Sequence, residues 1–175
     1  ERMNEMHAFI AFNTTIKSAF DIAMHDISAK EKGIPLYKFL GGAKKKIVTD
    51  LTIGIGEPVK MAETAVDYIK KGVKTIKIKL GKKGAADVER VRLIREAVGP
   101  SITLRIDANQ GWDYDTAVRT LNALEPYNVE FCEQPIHHDY DYLLPALRKQ
   151  SPIKIMADES VFNHFDAIRL IESES

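Results

Sequence analysis

The stretch Thr75–Leu80 reads Thr-Ile-Lys-Ile-Lys-Leu and alternates strictly between apolar and polar side chains. Such alternation predicts a β-strand with one apolar and one polar face. The polar face carries Lys77 and Lys79, two ammonium groups that repel each other and lose hydration when they are buried. A surface strand would carry both lysines at no cost, so the interpretation depends on what lies on either side of this strand.

Strand-like and helix-like segments alternate on both sides of this strand, from Ile47 to the end of the sequence. Pro58 suits the first turn of a helix, and Gly72 suits the end of the same helix. Asp113 and Asn163 are natural helix N-caps. Repeated βα units of this kind predict parallel strands joined by right-handed crossovers. We predict strands at 47–54, 75–80, 102–107, 129–133 and 153–158, and helices at 58–71, 86–98, 114–125, 140–149 and 164–173.

The predicted fold class is α/β, with the first five βα units of a (β/α)8 barrel. A doubly wound sheet uses the same unit, but helices cover both of its faces, so its strands are apolar on both sides. One face of two strands is polar here, which favours the barrel; its residues are Lys77, Lys79, Thr103, Arg105 and Asp107. Glu133 has the same parity as Phe131, so we expect a β-bulge or an end effect in the fourth strand.

A helical segment precedes the first strand. Apolar residues recur at spacings of three and four between residues 8 and 32 and predict one long helix. Gly33 and Pro35 end this pattern, and Leu36–Leu40 could add a short turn. The lysines at 44–46 are expected to form a solvated linker.

Composition excludes several classes of partner. Lys plus Arg and Asp plus Glu number 25 each, so no net charge would attract nucleic acid or an anionic membrane surface. No apolar run approaches the roughly 20 residues of a membrane span. The single cysteine, Cys132, excludes an internal disulfide and is typical of a reducing compartment, so we predict a cytoplasmic protein.

Three successive predicted strands end in an acidic residue: Asp107, Glu133 and Asp158. The three positions are spaced by about one βα unit, which would bring the carboxylates to neighbouring positions on the rim where barrel active sites lie. Unneutralised, the carboxylates would repel and raise each other's pKa values. A hard divalent cation removes that penalty, and an all-oxygen site with open positions suits Mg2+.

Four motifs resemble the enolase superfamily, in particular its muconate-lactonizing and dipeptide-epimerase branch. They are Lys77-Ile78-Lys79, Ile106–Trp112 (IDANQGW), Cys132-Glu133-Gln134-Pro135 and Ala157-Asp158-Glu159-Ser160. The segment Ser18–Gly42 is similar to the end of the capping domain that precedes the barrel in this family. The resemblance therefore implies the helical end of an N-terminal capping domain at 1–42 and a partial barrel domain at 43–175.

The resemblance also implies an activity. Asp107, Glu133 and Asp158 would hold one Mg2+, Lys79 would be the proton-transferring base, and Lys77 would stay charged beside it. The reaction would be an isomerisation that removes the proton α to a carboxylate through an enediolate. The substrate would be a small carboxylate, first of all a dipeptide of the L-Ala-D/L-Glu type. Removing so weakly acidic a proton requires positive charge near the developing anion.

Weaker candidates lie around these residues. Thr52, near the end of the first strand, could touch substrate, although a threonine there also fits ordinary strand propensity. Asn109 could orient the metal ligands or simply form the turn after its strand. His137 and His138 could line the mouth, although surface histidines are more common. We expect Trp112 and the cysteine to be packing residues.

The family's second catalytic lysine and its Asp-x-Asp motif would fall after Ser175. We therefore expect a piece of a longer gene product that is inactive or impaired alone, and that is completed by further segments or stabilised as a homo-oligomer. Alternatives within the superfamily are N-acylamino-acid racemase, o-succinylbenzoate synthase and muconate cycloisomerase. Outside it, Lys79 or Lys77 could form a Schiff base in an aldolase, or the chain could be a non-catalytic fragment that is stable only as an oligomer.

Overall fold

The computed structural model describes residues 2–175 and divides the chain into two compact units, Glu1–Val48 and Thr49–Ser175. The first unit contains three helices: α1 (Arg2–Phe9), α2 (Thr14–Glu31) and α3 (Leu36–Phe39). Within the described residues, no helix is both long and apolar enough to cross a membrane.

The prediction of one helix at 8–32 is wrong near its N-terminus, where the structure has two helices, α1 and α2. Phe12 and Asn13 adopt left-handed backbone angles, with φ of 54° and 53°, and these angles end one helix before the next begins. The ammonium of Lys17 spans the break, because it donates to the carbonyl oxygen of Ile10 at 2.5 Å and lies 3.4 Å from His7 Nδ1. The apolar spacing continues across the break, so periodicity alone did not reveal it.

The second unit is built on one parallel sheet with the strand order β1-β2-β3-β4-β5. Five strands in chain order, each followed by a helical segment, confirm the predicted α/β fold of consecutive βα units. The strands are β1 (Leu51–Ile53), β2 (Thr75–Lys79), β3 (Thr103–Asp107), β4 (Val129–Glu133) and β5 (Lys154–Met156).

The intervening helices are α4 (Pro58–Lys70), α5 (Gly84–Val98), α6 (Tyr114–Ala123), α7 (Leu144–Gln150) and α8 (His164–Glu172). Short 3₁₀ turns at Glu125–Tyr127 and His138–Leu143 precede β4 and α7. The predicted caps are confirmed: the Asp113 side chain accepts from the N–H of Thr116, and Asn163 forms a capping box with Asp166.

The two faces of the sheet differ as the alternation in β2 predicts. Its apolar side chains are completely buried together with residues of the helices, whereas Lys77 and Lys79 stay half-buried on the other face. The apolar set includes Ile76, Ile78, Leu104, Ile106, Met61, Ala65, Val91, Ile94, Ala117 and Leu121. Burying this face is the main stabilising contribution to the unit.

The expected irregularity in the fourth strand is present as a shift of register. Leu104 pairs with Val129, but Ile106 pairs with Cys132, so β4 has one residue more than β3 between these two pairs. The extra residue reverses the parity of β4, and as a result Glu133 points to the same face as Asp107.

Candidate active site

Two buried carboxylates meet at the carboxyl end of the sheet. Asp107 is the last residue of β3, Glu133 is the last residue of β4, and the two are direct partners across the strands. The side chain of Asp107 is fully buried, and that of Glu133 is 9% exposed. Two buried carboxylates this close to each other need a neighbouring positive charge to be ionised together, because each disfavours the ionisation of the other.

Lys77 supplies one such charge. Its Nζ atom lies 2.7 Å from Glu133 Oε1 and 2.9 Å from Asp107 Oδ2, so one ammonium bridges the ends of β3 and β4. The contact with Glu133 reaches across β3, since β2 and β4 are not neighbours in the sheet. Only side chains on the same face of the sheet can make this contact. Lys77, Asp107 and Glu133 therefore lie on one face.

Lys79 lies two residues further toward the rim, on the same face of β2 as Lys77. Its Nζ atom donates to Asp107 Oδ2 at 2.6 Å and to Asn109 Oδ1 at 2.7 Å. The side chain of Lys79 is 31% exposed, compared with 19% for Lys77. Lys79 is therefore the more accessible of the two lysines.

The pKa values of these groups follow from burial and from their partners. Burial disfavours the charged form of Lys77, but its hydrogen bonds to Glu133 and Asp107 outweigh burial and raise the pKa of Lys77. Burial also opposes ionisation of Asp107, but Lys79, Lys77 and the N–H of Asn109 lower its pKa. Burial raises the pKa of Glu133 in spite of the opposing hydrogen bond from Lys77. Lys77 is therefore held as a cation.

Asn109 joins several parts of the site. Its N–H donates to Asp107 Oδ1 at 2.9 Å, and its Nδ2 donates to Glu159 Oε1 at 3.2 Å. Its backbone adopts a left-handed conformation with φ of 43°, which asparagine tolerates better than most residues. Asn109 thus both forms the turn after β3 and orients a carboxylate, so the two interpretations made from the sequence are compatible.

Asp158 lies in the loop after β5, two residues beyond Met156, which is the strand partner of Glu133. Its side chain is exposed, and its N–H donates to the side chain of Gln134 at 2.8 Å. Among residues 2–175, the carboxylate oxygens of Asp158, Asp107 and Glu133 do not form a group within 4.8 Å of one another. Asp158 remains a predicted ligand at the third strand end.

Glu159 is a functional candidate that the sequence reasoning missed. One carboxylate oxygen accepts from Asn109, while the other, Oε2, is buried without a hydrogen-bond partner among the groups that the structure describes. A buried oxygen without a donor is costly unless a cation or water satisfies it. Together with Asp107 and Glu133, it makes this end of the sheet rich in oxygen donors, a set that fits Mg2+.

Thr52 lies on β1 as the direct partner of Lys77 and therefore faces the same side of the sheet. Its side chain is exposed. The carbonyl oxygen of Thr52 accepts from the hydroxyl of Tyr68 at 3.2 Å. This position is compatible with a contact to substrate, which remains a prediction.

The two histidines after β4 are partly exposed and lie beside Asp139. His137, His138 and Asp139 are the one group of three possible ligands within residues 2–175 whose atoms lie within 4.8 Å of one another. His138 contacts Gln110 Oε1 through Nδ1 at 2.8 Å. Exposed groups of this kind are common without a bound ion, so we assign them no metal.

Trp112 and Cys132 are buried packing residues, as expected. The indole N–H of Trp112 donates to the buried carboxylate of Asp87 at 2.9 Å. Burial raises the pKa of the Cys132 thiol well above its ordinary value, so the thiol is not a nucleophile near neutral pH.

Known proteins are similar to this chain in sequence. The chain is 54% identical over 171 residues to the D-Ala-D/L-Ala epimerase of Cytophaga hutchinsonii, a match that covers 97% of this chain and 46% of the relative. It is 44% identical over 165 residues to an L-Ala-D/L-Glu epimerase of Clostridium acetobutylicum, with coverage of 93% and 46%. The chain thus spans about half the length of the curated relatives that it matches.

Solved structures agree with this similarity. The crystal structure of the dipeptide epimerase from Cytophaga hutchinsonii, complexed with Mg and the dipeptide D-Ala-L-Val, matches with a TM-score of 0.94 at 53% identity. The match covers 98% of this chain and 47% of that structure. The model of the enolase C-terminal domain-like family matches residues 60–175, a span that includes both lysines and all three predicted carboxylates. The chain therefore belongs to the enolase C-terminal domain-like family.

Proposed function

We propose that the protein carrying this chain is a Mg2+-dependent isomerase that removes the proton α to a carboxylate, and that its substrates are dipeptides. The observation that carries this proposal is the cluster at the ends of β2, β3 and β4. There Lys79 lies within hydrogen-bonding distance of Asp107, and Lys77 lies between Asp107 and Glu133.

The oxygen donors at this edge are the proposed metal site. Asp107, Glu133 and Asp158 would hold one Mg2+, and Asn109 would orient Asp107 through its backbone N–H. When bound, the ion supplies positive charge that stabilises the negative charge developing on the substrate carboxylate.

Lys79 is the proposed base. In its neutral form its Nζ atom would accept the α-proton of a substrate at the rim, leaving an enediolate. Lys77 is more buried and is held as a cation by two carboxylates. A fixed positive charge two residues away stabilises the negative charge that develops on the enediolate. Epimerisation also needs a group that returns a proton to the opposite face, and we assign no residue of this chain to that role.

The choice of dipeptides rests on similarity. The two relatives described above are named as a D-Ala-D/L-Ala epimerase and an L-Ala-D/L-Glu epimerase, and the structure from Cytophaga hutchinsonii is that of a dipeptide epimerase with the dipeptide D-Ala-L-Val. Thr52 faces the same side as Lys77 and is the proposed substrate contact on β1. We propose that the active form is the longer protein that carries this chain. We also propose that this protein is located in the cytoplasm.

The experiment is α-proton exchange in D2O with the intact gene product, Mg2+ and a panel of L,L-dipeptides that includes L-Ala-L-Glu. We expect exchange and epimerisation of at least one dipeptide, with loss of both on adding a chelator. The Lys79→Ala variant should lower the rate about 10²- to 10⁴-fold, the range for removal of a general base. The control is Lys70→Ala, since Lys70 is exposed on α4 and pairs only with Asp67 among the contacts described.

Two outcomes would contradict the proposed chemistry. Exchange that continues in Lys79→Ala at the wild-type rate would remove Lys79 as the base. Borohydride trapping of a carbonyl substrate on Lys79 or Lys77 would favour Schiff-base chemistry instead. Turnover of N-acylamino acids in place of dipeptides would keep the reaction type and change only the substrate.

A further inference from the structure

Gln134 is a completely buried amide immediately after the predicted ligand Glu133. Its backbone adopts a left-handed conformation with φ of 37°, which turns the chain sharply at the end of β4. The backbone N–H donates to Met156 O at 2.9 Å, and the backbone carbonyl accepts from Gln110 N–H at 2.8 Å. Gln134 therefore continues the pairing of β4 with both of its neighbours for one residue beyond the strand.

The side chain of Gln134 points into the loop that follows β5. Its Oε1 atom accepts from two backbone N–H groups, Asp158 at 2.8 Å and Ser160 at 3.2 Å. Its Nε2 atom donates to Ser160 Oγ at 2.7 Å and to Ile136 O at 3.1 Å. Three of these four bonds hold the segment 158–160, whose backbone leaves the regular sheet after Met156.

The same loop is anchored from its other side. The Ser160 hydroxyl donates to Asp141 Oδ1 at 2.6 Å, and Arg169 donates to Asp141 Oδ2 at 2.8 Å and to Ser160 O at 3.2 Å. Gln134, Ser160 and Asp141 are all buried. A buried and satisfied network of this kind stabilises one arrangement of the groups that it joins, because every alternative leaves a polar atom without a partner.

We propose that Gln134 is a positioning residue for the metal site: it holds the backbone of Asp158 at a set distance from Glu133. The inference rests on the proposed function, since it takes Asp158 as a ligand. Glu133 and Gln134 are adjacent at the end of β4. Glu133 offers a carboxylate to the metal site, and the side chain of Gln134 accepts from the N–H of Asp158. The exposed Asp158 carboxylate depends on this loop for its position, because its own strand ends two residues earlier.

The test uses Gln134→Met, which keeps the length of the side chain and removes its amide. Mn2+ binding to the intact gene product is measured by electron paramagnetic resonance, and Mg2+ is measured by competition. We expect Gln134→Met to weaken Mn2+ binding about 10- to 100-fold, the range observed when groups that orient metal ligands are removed. Ser160→Ala keeps the Oε1 acceptor for both N–H groups and should weaken binding less.

A core variant separates positioning from general destabilisation. Val91→Ala removes buried volume from α5, away from the loop, and should lower thermal stability while it leaves Mn2+ affinity within twofold of wild type. Hydrogen exchange of the Asp158 and Ser160 amides gives a readout that does not depend on metal. Both amides should exchange at least tenfold faster relative to wild type in Gln134→Met, but not in Val91→Ala.

The outcomes distinguish this inference from the proposed function. The proposed function, and this inference with it, would be overturned if the wild-type protein binds no Mn2+. The same holds if the Asp107→Asn variant binds Mn2+ as tightly as the wild-type protein. Wild-type protein that binds Mn2+ while Gln134→Met binds it equally well would overturn only the positioning role. Should Gln134→Met fail to fold, Gln134→Asn replaces it, because its shorter side chain withdraws the amide from the two N–H groups; unchanged amide exchange and unchanged Mn2+ affinity in Gln134→Asn would also overturn the positioning role.

Discussion

At the scale of single residues, the site depends on charge compensation between one lysine and two carboxylates. The Lys77 ammonium lies within 3 Å of oxygens of both Asp107 and Glu133, in a place where little water reaches these acids. Exposed pairs such as Lys70 with Asp67 gain little, because water and salt screen them. Removing one partner from a buried group leaves an uncompensated charge, and that is strongly destabilising.

Lys77→Met should therefore lower the free energy of unfolding by about 3 kcal/mol, the lower end of the range for breaking a buried pair, since Lys77 is partly accessible. The measurement is urea unfolding near pH 7 in the presence of a chelator, so that no divalent ion replaces the ammonium. The matched control is Lys70→Met, for which we expect a change below about 0.5 kcal/mol. Equal changes in the two variants would contradict the buried-pair interpretation.

At the scale of elements, the loops after β2 and β3 are packed against each other, and this contact sets the positions of Lys79 and Asn109. Gly81 has a φ of +102°, and a Cβ atom there would collide with the carbonyl oxygen of Ala108. A Cβ atom at Gly111 would collide with the carbonyl oxygen of Gly81 in the same way. Asp87 stabilises the crossing, because it accepts from the N–H groups of Gly81 and Lys82 and from the Trp112 indole.

Gly81→Ala should consequently destabilise the protein by about 3 kcal/mol or more, since it combines an unfavourable φ with a backbone collision. Gly72→Ala is the matched control: Gly72 also has a positive φ, +88°, but its added Cβ would meet no atom within 4 Å. Strain alone should cost about 1–2 kcal/mol there. Thermal unfolding of both variants gives the comparison, and a smaller loss for Gly81→Ala than for Gly72→Ala would show that the loops adjust.

At the scale of the whole molecule, the chain is organised as two compact units that meet in sequence at Val48 and Thr49. Residues 42–50 have no regular secondary structure, and residues 41–49 are exposed. Exposed irregular segments between compact units are the preferred sites of proteolysis. The predicted lysine-rich linker at 44–46 lies within this segment.

Limited digestion of the chain with trypsin should therefore cleave first after Lys44, Lys45 or Lys46. We expect a resistant fragment that begins near Ile47 and contains the five-stranded sheet. The reason is that most lysines and arginines of the unit Thr49–Ser175 lie on helices and strands. Mass spectrometry during the digestion identifies the first cut. Early cleavage within α4 or α5, before the linker is cut, would contradict this description of the two units.

Much of the fold and part of the site could be predicted from local patterns. Alternation in Thr75–Lys79 marks a two-faced strand, and short-range preferences place the helix ends at Pro58, Asp113 and Asn163. These signals are local because they come from backbone angles and from the period of side-chain direction along one element. The acids at 107 and 133 were found in the same way, since the end of a strand is visible in its own sequence.

The remaining features depend on contacts between distant parts of the chain. The pairing of Lys77 with Glu133 reaches across β3 and requires the extra residue that β4 has between Val129 and Cys132. The parity of β4 predicted an irregularity in this strand but not its position. The helix break at Phe12 and Asn13 and the buried network of Gln134 were likewise not predicted. Their physical reason is shared: which polar groups become buried, and which partners satisfy them, is settled only when the strands have been brought into register.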